Sequence, residues 1–274
     1  MALGVNTNVG AMVALQNLSK TNRELEVTQG RINTGLAVAG AKDNGGIYAI
    51  AQAMRSDVAS LGAVGQSLGR AKSVVDVALA AGESISDLLV QMKEKAVAAA
   101  DASTDTTARA ALNEDFVALR KQISSIVSNA AFNGVNLINT ATGFQSLASA
   151  DGSSKISVNA ENLSLGGSII TIAATGQVNT QSAASTMLGT VNTSLTNANR
   201  ALARLGSISK RLDTQMEFNN KVSDALKAGI GNLVDADLSV ESARLQSLQV
   251  KQQLGLQALS IANGAPQTVL SLFR

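Results

Sequence analysis

The 274 residues contain no histidine, cysteine or tryptophan, one tyrosine (Tyr48) and one proline. Without imidazole or thiolate, the chain has no His-dependent general base, no Ser-His-Asp or Cys-His nucleophile, no haem attachment and no disulfide. A zinc site would have to be all-carboxylate, a poor match to that ion. Aromatic residues make up 2% of the chain and charged residues 15%, against 45% hydrophobic. Any core must therefore be built from Ala, Leu, Val and Ile, which suits long helices packed along their length.

The formal net charge is only +2, with Lys and Arg scattered singly or in pairs such as Arg120-Lys121 and Lys210-Arg211. With no cationic run and no stacking aromatics, nucleic acid is not an expected partner. No segment reaches the roughly 18 apolar residues of a membrane span, so membrane insertion is not expected either. Met1 to Gly10 lacks the charged and apolar regions of a cleaved leader.

What is present is a heptad register. Starting at Ile47, alternating three- and four-residue steps pass through Ile50, Met54, Asp57, Leu61, Val64, Leu68, Ala71, Val75, Ala78, Gly82, Ile85, Leu89, Met92 and Ala96, apolar but for Asp57 and Gly82. An ordinary helix rarely holds one seam so long, and the spacing predicts a helix of about 75 Å in a coiled bundle. A shorter stripe follows at Leu112, Phe116, Leu119, Ile123, Ile126 and Ala130, after a cap-rich turn over 101–107. A third runs from Leu188 through Val191, Leu195, Ala198, Leu202, Leu205, Ser209, Leu212 and Met216. It loosens at Asn219 and Ser223, then recovers at Leu226, Ile230 and Leu233. Three compatible seams predict an antiparallel bundle.

Both ends carry heptads of their own. Ala11, Leu15, Leu18, Asn22, Leu25, Gln29, Ile32 and Leu36 form one. Leu238, Leu245, Leu248, Leu256 and Leu259 form the other, expected to stop near Asn263-Gly264 with Pro266 beyond. Single helices of this kind are marginal alone, so both ends are expected to fold only when packed together or on further copies. Between the bundle helices, residues 141–186 hold nine Ser, five Thr and five Gly but only three charges. There, Lys155-Ile156-Ser157-Val158-Asn159 alternates with period two and Ser168-Ile169-Ile170-Thr171-Ile172 is β-branched. Both are expected strands of a small insert.

Motifs that could carry chemistry are sparse. Asp235-Ala-Asp237 lacks a third ligand and reads as a helix start. Gly45-Gly46 lacks the strand and the Gly-Lys-Ser/Thr pattern of a phosphate loop, and reads as a turn into the long helix. No Ser-x-x-Lys stands in a pocket-forming context, and Met54 and Met92 sit on the seam as core residues. No catalysis, metal or cofactor is expected.

Several short stretches resemble the bacterial flagellins. Asn6-Thr7-Asn8 is similar to the family's opening Ile-Asn-Thr-Asn, and Arg31-Ile-Asn-Thr-Gly-Leu36 with Ala41-Lys-Asp-Asn44 to its Arg-Leu-Ser-Ser-Gly-Leu and Ala-Lys-Asp-Asp. Phe132-Asn-Gly-Val135 matches a Phe-Asn-Gly stretch, and the ending from Ala262 to Arg274 resembles Ala-Asn-Gln-x-Pro-Gln-x-Val-Leu-Ser-Leu-Leu-Arg. The resemblance covers about residues 1–140 and 188–274 and suggests a short flagellin of alphaproteobacterial type. It implies a mainly α fold, a long antiparallel coiled-coil bundle with a small β-rich surface insert. The implied function is a subunit that self-polymerises into the extracellular flagellar filament for swimming.

On that resemblance, residues 1–40 and 236–274 would form an inner coiled coil, 41–140 and 188–235 the surrounding bundle, and 141–187 a small outer insert. Leu15, Leu18, Leu25, Ile32, Leu36, Leu245, Leu248, Leu256, Leu259, Leu270, Leu272 and Phe273 are the candidate assembly residues. Arg31, Lys42 and Asp43 are candidates for an inter-subunit loop, or for ordinary solvated turn charges. Implied partners are further copies and sister flagellins, the type III flagellar export apparatus with an export chaperone, and the hook-associated and cap proteins. The segment Val90 to Val97 differs from the family's receptor-recognised stretch at Gln91 and Lys95, so weak or no activation of the innate flagellin receptor is expected. The alternatives are a hook–filament junction protein and, from another class, a secreted helical translocator, which should carry a membrane-spanning hairpin.

Overall fold

In a computed structural model of the chain, residues 7–271 are described, with side chains through Gly264. The elements in order are helices α1 (Val9–Thr34), α2 (Gly45–Ala100) and α3 (Thr106–Asn129), strands β1 (Phe144–Leu147) and β2 (Lys155–Val158), and helices α4 (Gln181–Val234) and α5 (Leu238–Ser271). The chain divides into two compact units, residues 57–224 and the remainder at both ends.

The first unit is built on the seams of α2, α3 and α4. Leu68, Val75, Ile85, Leu89 and Met92 of α2, Phe116 and Ile123 of α3, and Val191, Ala198, Leu205 and Leu212 of α4 are all buried in one core. Side-chain pairs fix how α2 and α4 lie: Lys72 with Asp213, Asp76 with Ser209, and Ser86 with Asn199. Numbers rise on one helix as they fall on the other, so the pair is antiparallel. Phe116 is the one fully buried aromatic among the described residues, and Lys95 pairs with Asp115 at 2.8 Å. Asp105 caps α3 by accepting from Ala108 N at 2.7 Å, as the cap-rich turn anticipates. Asn219, where the third seam loosens, is 4% exposed; its Nδ2 donates to Leu61 O at 3.0 Å. Its Oδ1 is buried without a partner among the described residues.

The insert departs from expectation. β2 forms as the alternation predicts and pairs antiparallel with β1, Phe144 opposite Val158. Residues 168–172 are not a strand. Their backbone is engaged by α4, where Ser194 Oγ accepts from Thr171 N at 3.0 Å. Ile169, Ile170 and Ile172 sit in the core of the helices, so their β-branched shape serves burial instead of a ladder. Ile156, Val158, Leu163 and Val178 join the same core. Glu161 is tied to Arg204 of α4 by two contacts of 2.6 Å.

In the second unit, Gly35 ends α1 at φ 72°, its N–H donating to Arg31 O at 2.8 Å. Asn44 accepts from Ile47 N at 3.1 Å and so starts α2, the turn-to-helix role read for Gly45-Gly46. Asp237 starts α5, accepting from Ser239 N and Val240 N. Val38, Ala51 and Val234 form a small core with Leu36, Ile47, Tyr48 and Ile230 around them. Ile50 is 55% exposed and Leu233 36%, so Ala51 and Val234, one residue on, take the places those two were expected to fill. α5 does not stop at Asn263-Gly264 but continues past Pro266 to Ser271. Gly264 does not take the positive φ that ends a helix, and one proline removes only one rung of the ladder.

Candidate assembly interface

The residues expected to drive assembly lie mostly on α1 and α5, and these two helices meet along one seam. Asn8 Nδ2 donates to Ala262 O at 2.6 Å, and Gln252 Nε2 to Asn22 Oδ1 at 2.9 Å. Arg31 Nη1 pairs with Glu241 Oε1 at 2.9 Å. Leu18 Cδ1 lies 3.3 Å from where a Cβ on Gly255 would stand. The order of these contacts makes the pair antiparallel.

The covered positions on α1 include Ala11, Ala14, Leu18, Thr21, Leu25, Thr28 and Ile32, with Glu24 and Arg31 beside them, and those on α5 include Glu241, Leu245, Leu248, Gln252, Gly255, Leu259 and Ala262. Both sets keep heptad spacing, but the α1 set is not the one read from sequence. The two registers share Ala11, Leu18, Leu25 and Ile32 and differ at every position between. Leu15, at 56% exposure, faces away, as do Asn22 and Gln29. The reason is steric: Ala14, Thr21 and Thr28 opposite a partner with Gly255 let the helices approach closely. Counting apolar residues favours Leu15 over Ala14, and so favours the wrong alternate step.

Leu18 and Leu248 are therefore buried within the chain, at 8% and 2% exposure, while Leu25, Ile32, Leu245 and Leu259 are half-buried. Leu36 packs beside Val38 and bridges to Asp235. Leu256 and Leu238 are 54% and 50% exposed, off the stripe they were assigned to. Leu270 lies within α5 with its side chain outside the described residues, as are Leu272 and Phe273. Arg31 and Asp43 have partners inside the chain: Glu241 for the first, and for the second the N–H groups of Ala39 and Gly40, both at 3.0 Å. Lys42 is exposed. The Arg31–Glu241 bridge is single-point, and Arg31 Nε and Glu241 Oε2 are buried without partners among the described residues.

A second feature escaped the sequence reading. Val240, Val250, Leu254 and Ile261 of α5 are 55–75% exposed. With Ala243, Ser247 and Gln257 they complete an outward heptad one or two residues out of step with the seam against α1. Val9, Met12, Val13 and Leu15 expose 50–64% at the start of α1. Exposed apolar surface on this scale marks an interaction face. The signal was available as a second three-four register in α5, hidden because one stripe of leucines was taken to be the whole pattern.

Among the described residues no helix is long and apolar enough to cross a membrane, and no cluster of acidic side chains could hold a metal ion.

Comparison with known proteins agrees with this architecture. A family model for the bacterial flagellin N-terminal helical region matches residues 5–143, and one for the C-terminal helical region matches residues 188–273. Flagellin FljM of Caulobacter vibrioides is 53% identical over 100% of both chains, and Flagellin FljK of the same organism equally so. A flagellin of Brucella melitensis is 38% identical over 98% of both chains. A Vibrio parahaemolyticus structure described as a flagellar hook-associated protein shares the fold, with a TM-score of 0.60 at 11% identity over 70% of this chain and 100% of that one. With two apolar terminal helices paired antiparallel, a coiled bundle between them and full-length identity to such relatives, the chain belongs to the bacterial flagellin family.

Proposed function

We propose that the chain is a non-catalytic structural subunit of the bacterial flagellar filament, which self-polymerises by burying the outward faces of α1 and α5 against further copies. The observation that carries this is the exposed heptad of α5, an apolar stripe with no role inside a single chain. Leu15 and Leu256 belong to the surface buried on assembly. Leu18, Leu25, Ile32, Leu245, Leu248 and Leu259 serve it indirectly, by holding α1 and α5 together, and Leu36 by packing on the small core of Val38, Ala51 and Val234. Leu270, Leu272 and Phe273, whose side chains lie outside the described residues, remain proposed assembly residues on the resemblance alone.

Residues 1–40 and 236–274 form the inner coil of the filament, 41–140 and 188–235 the bundle around it, and 141–187 the outward insert. The presence of at least two flagellins of equal identity in one organism supports a filament that mixes this chain with sister flagellins. Secretion through the flagellar export apparatus, with an export chaperone, and contacts with hook-associated and cap proteins follow from the same role.

Seeded polymerisation tests it. Purified chain should elongate sheared filament seeds above a critical concentration, and a chain lacking residues 238–274 should not. Elongation by the truncated chain at the full-length critical concentration would refute the assignment.

A further inference from the structure

Three Asn-Gly steps occur in the chain: Asn44-Gly45, Asn133-Gly134 and Asn263-Gly264. Glycine has no Cβ to keep its amide nitrogen away from the preceding side chain, so at each step that nitrogen is able to attack the asparagine Cγ. What distinguishes the three is how the fold holds the two reacting atoms.

Two are held apart. Asn44 Oδ1 accepts from Ile47 N at 3.1 Å and lies 3.6 Å from where a Cβ on Gly46 would stand, so this side chain is engaged as the cap of α2. Gly264 lies inside α5, where an amide N–H points along the helix to the carbonyl four residues back. A related step, Asp151-Gly152, is also closed. Gly152 N donates to Ser149 O at 3.1 Å, and the Asp151 carboxylate accepts from Ser149 Oγ and Ser153 N.

Asn133-Gly134 is open. Phe132 and Val135 exchange backbone hydrogen bonds of 2.9 and 3.0 Å around two residues with φ 49° and 78°, a type I′ turn. Asn133 is the one non-glycine residue at positive φ among the described residues. Neither its side chain nor the Gly134 N–H has a hydrogen-bond partner among the described residues. All four turn residues are exposed. The base of the turn, by contrast, is anchored: Asn136 Nδ2 donates to Val127 O at 2.7 Å, and its Oδ1 accepts from Ile138 N and Asn139 N. Two hydrogen bonds and little apolar burial separate the closed tip from an opened one. On opening, Asn133 leaves the left-handed region and is free to turn its Cγ to the Gly134 nitrogen.

We propose that Asn133 is a site of spontaneous covalent modification, deamidation through a succinimide. The Gly134 nitrogen attacks Asn133 Cγ, so that a C–N bond forms, the C–NH2 bond breaks, and ammonia leaves with the proton of the Gly134 amide. Water then opens the ring at either carbonyl, giving the aspartyl or the isoaspartyl product, and no other reactant is needed. A neutral amide becomes a carboxylate on the wall of a cleft that Asn133 shares with Arg70, Phe132 and Phe144. In the isoaspartyl form one extra carbon enters the backbone of a loop whose two-residue length sets the pairing of Phe132 with Val135. The modification is independent of the filament reading.

Peptide mapping tests it. Folded chain is incubated at mildly alkaline pH beside a sample in denaturant, and both are digested at acidic pH. Each Asn-Gly peptide is then resolved by chromatography and mass spectrometry into asparaginyl, aspartyl and isoaspartyl forms. In the folded chain Asn133 should convert at least about fivefold faster than Asn44 and Asn263, the factor given by one helix cap kept closed. In denaturant the three rates should converge. Asn133 converting no faster than the other two in the folded chain would overturn the proposal. A lead that persists in denaturant would overturn it as well, by placing the cause in the neighbouring sequence instead of the turn. An aspartyl product without its isoaspartyl isomer would refute the succinimide route.

Discussion

Truncating Leu256 and Leu248 to alanine should have opposite signatures, although the two leucines are eight residues apart on one helix. Leu248 is 2% exposed against α1, whereas Leu256 is 54% exposed. Fully burying a leucine side chain is worth about 1.5–3 kcal/mol, so roughly half of that, about 0.8–1.6 kcal/mol, remains for Leu256 to gain on assembly. At 1.4 kcal/mol per decade, Leu256→Ala should raise the critical concentration about four- to fifteenfold and leave the monomer's thermal midpoint unchanged. Leu248→Ala opens a cavity inside the α1–α5 pair and should cost about 2–5 kcal/mol, weakening protection of both helices from proteolysis in the monomer as well as filament growth. The assay is sedimentation of polymer across a concentration series, beside a melting curve and limited proteolysis of each variant. An unchanged critical concentration for Leu256→Ala would refute the burial argument. So would a fall in its monomer midpoint matching that of Leu248→Ala, since the two leucines would then be doing the same work.

Gly35 holds φ 72° at the end of α1, and its carbonyl accepts from Ala236 N at 2.8 Å. Gly35→Ala should destabilise the α1–α5 unit by about 1–2 kcal/mol, read as faster proteolytic trimming of the ends without change in the core of residues 57–224. Asp151, in the hairpin turn, is held by Ser149 and Ser153 with its carboxyl lowered to about 2. Because the folded value is depressed, the stabilisation is present above the unfolded value near ~3.9 and lost as pH falls through about 2. Carboxyl chemical shifts in an acid titration should show that midpoint for Asp151, and Ser149→Ala should move it upward.

How far the sequence could be read depended on how much of each pattern repeats. Along α2 the same step recurs from Leu61 to Ala96, and one register satisfies every position, so the buried residues follow. The caps were equally legible, because Asp105 and Asp237 act on backbone groups two or three residues away. α1 was harder. Two registers share Ala11, Leu18, Leu25 and Ile32, and a difference of one residue at alternate steps separates a buried Thr28 from an exposed Gln29. β-Branched residues 168–172 misled for a related reason: propensity describes a local preference, while Ser194 on a distant helix had already taken the Thr171 N–H that a strand would have used.

The sequence by itself determined the helical class, the antiparallel bundle, the absence of imidazole and thiol chemistry and the kinship with flagellins, because composition, periodicity and terminal motifs are carried by neighbours along the chain. Only the tertiary structure decided which face of each terminal helix is spent inside the chain and which remains for another. It also decided that the insert's isoleucines complete the core. These depend on which helix lies opposite and at what height, and that is set by pairs such as Lys72 with Asp213 and Leu18 with Gly255, more than a hundred residues apart in sequence.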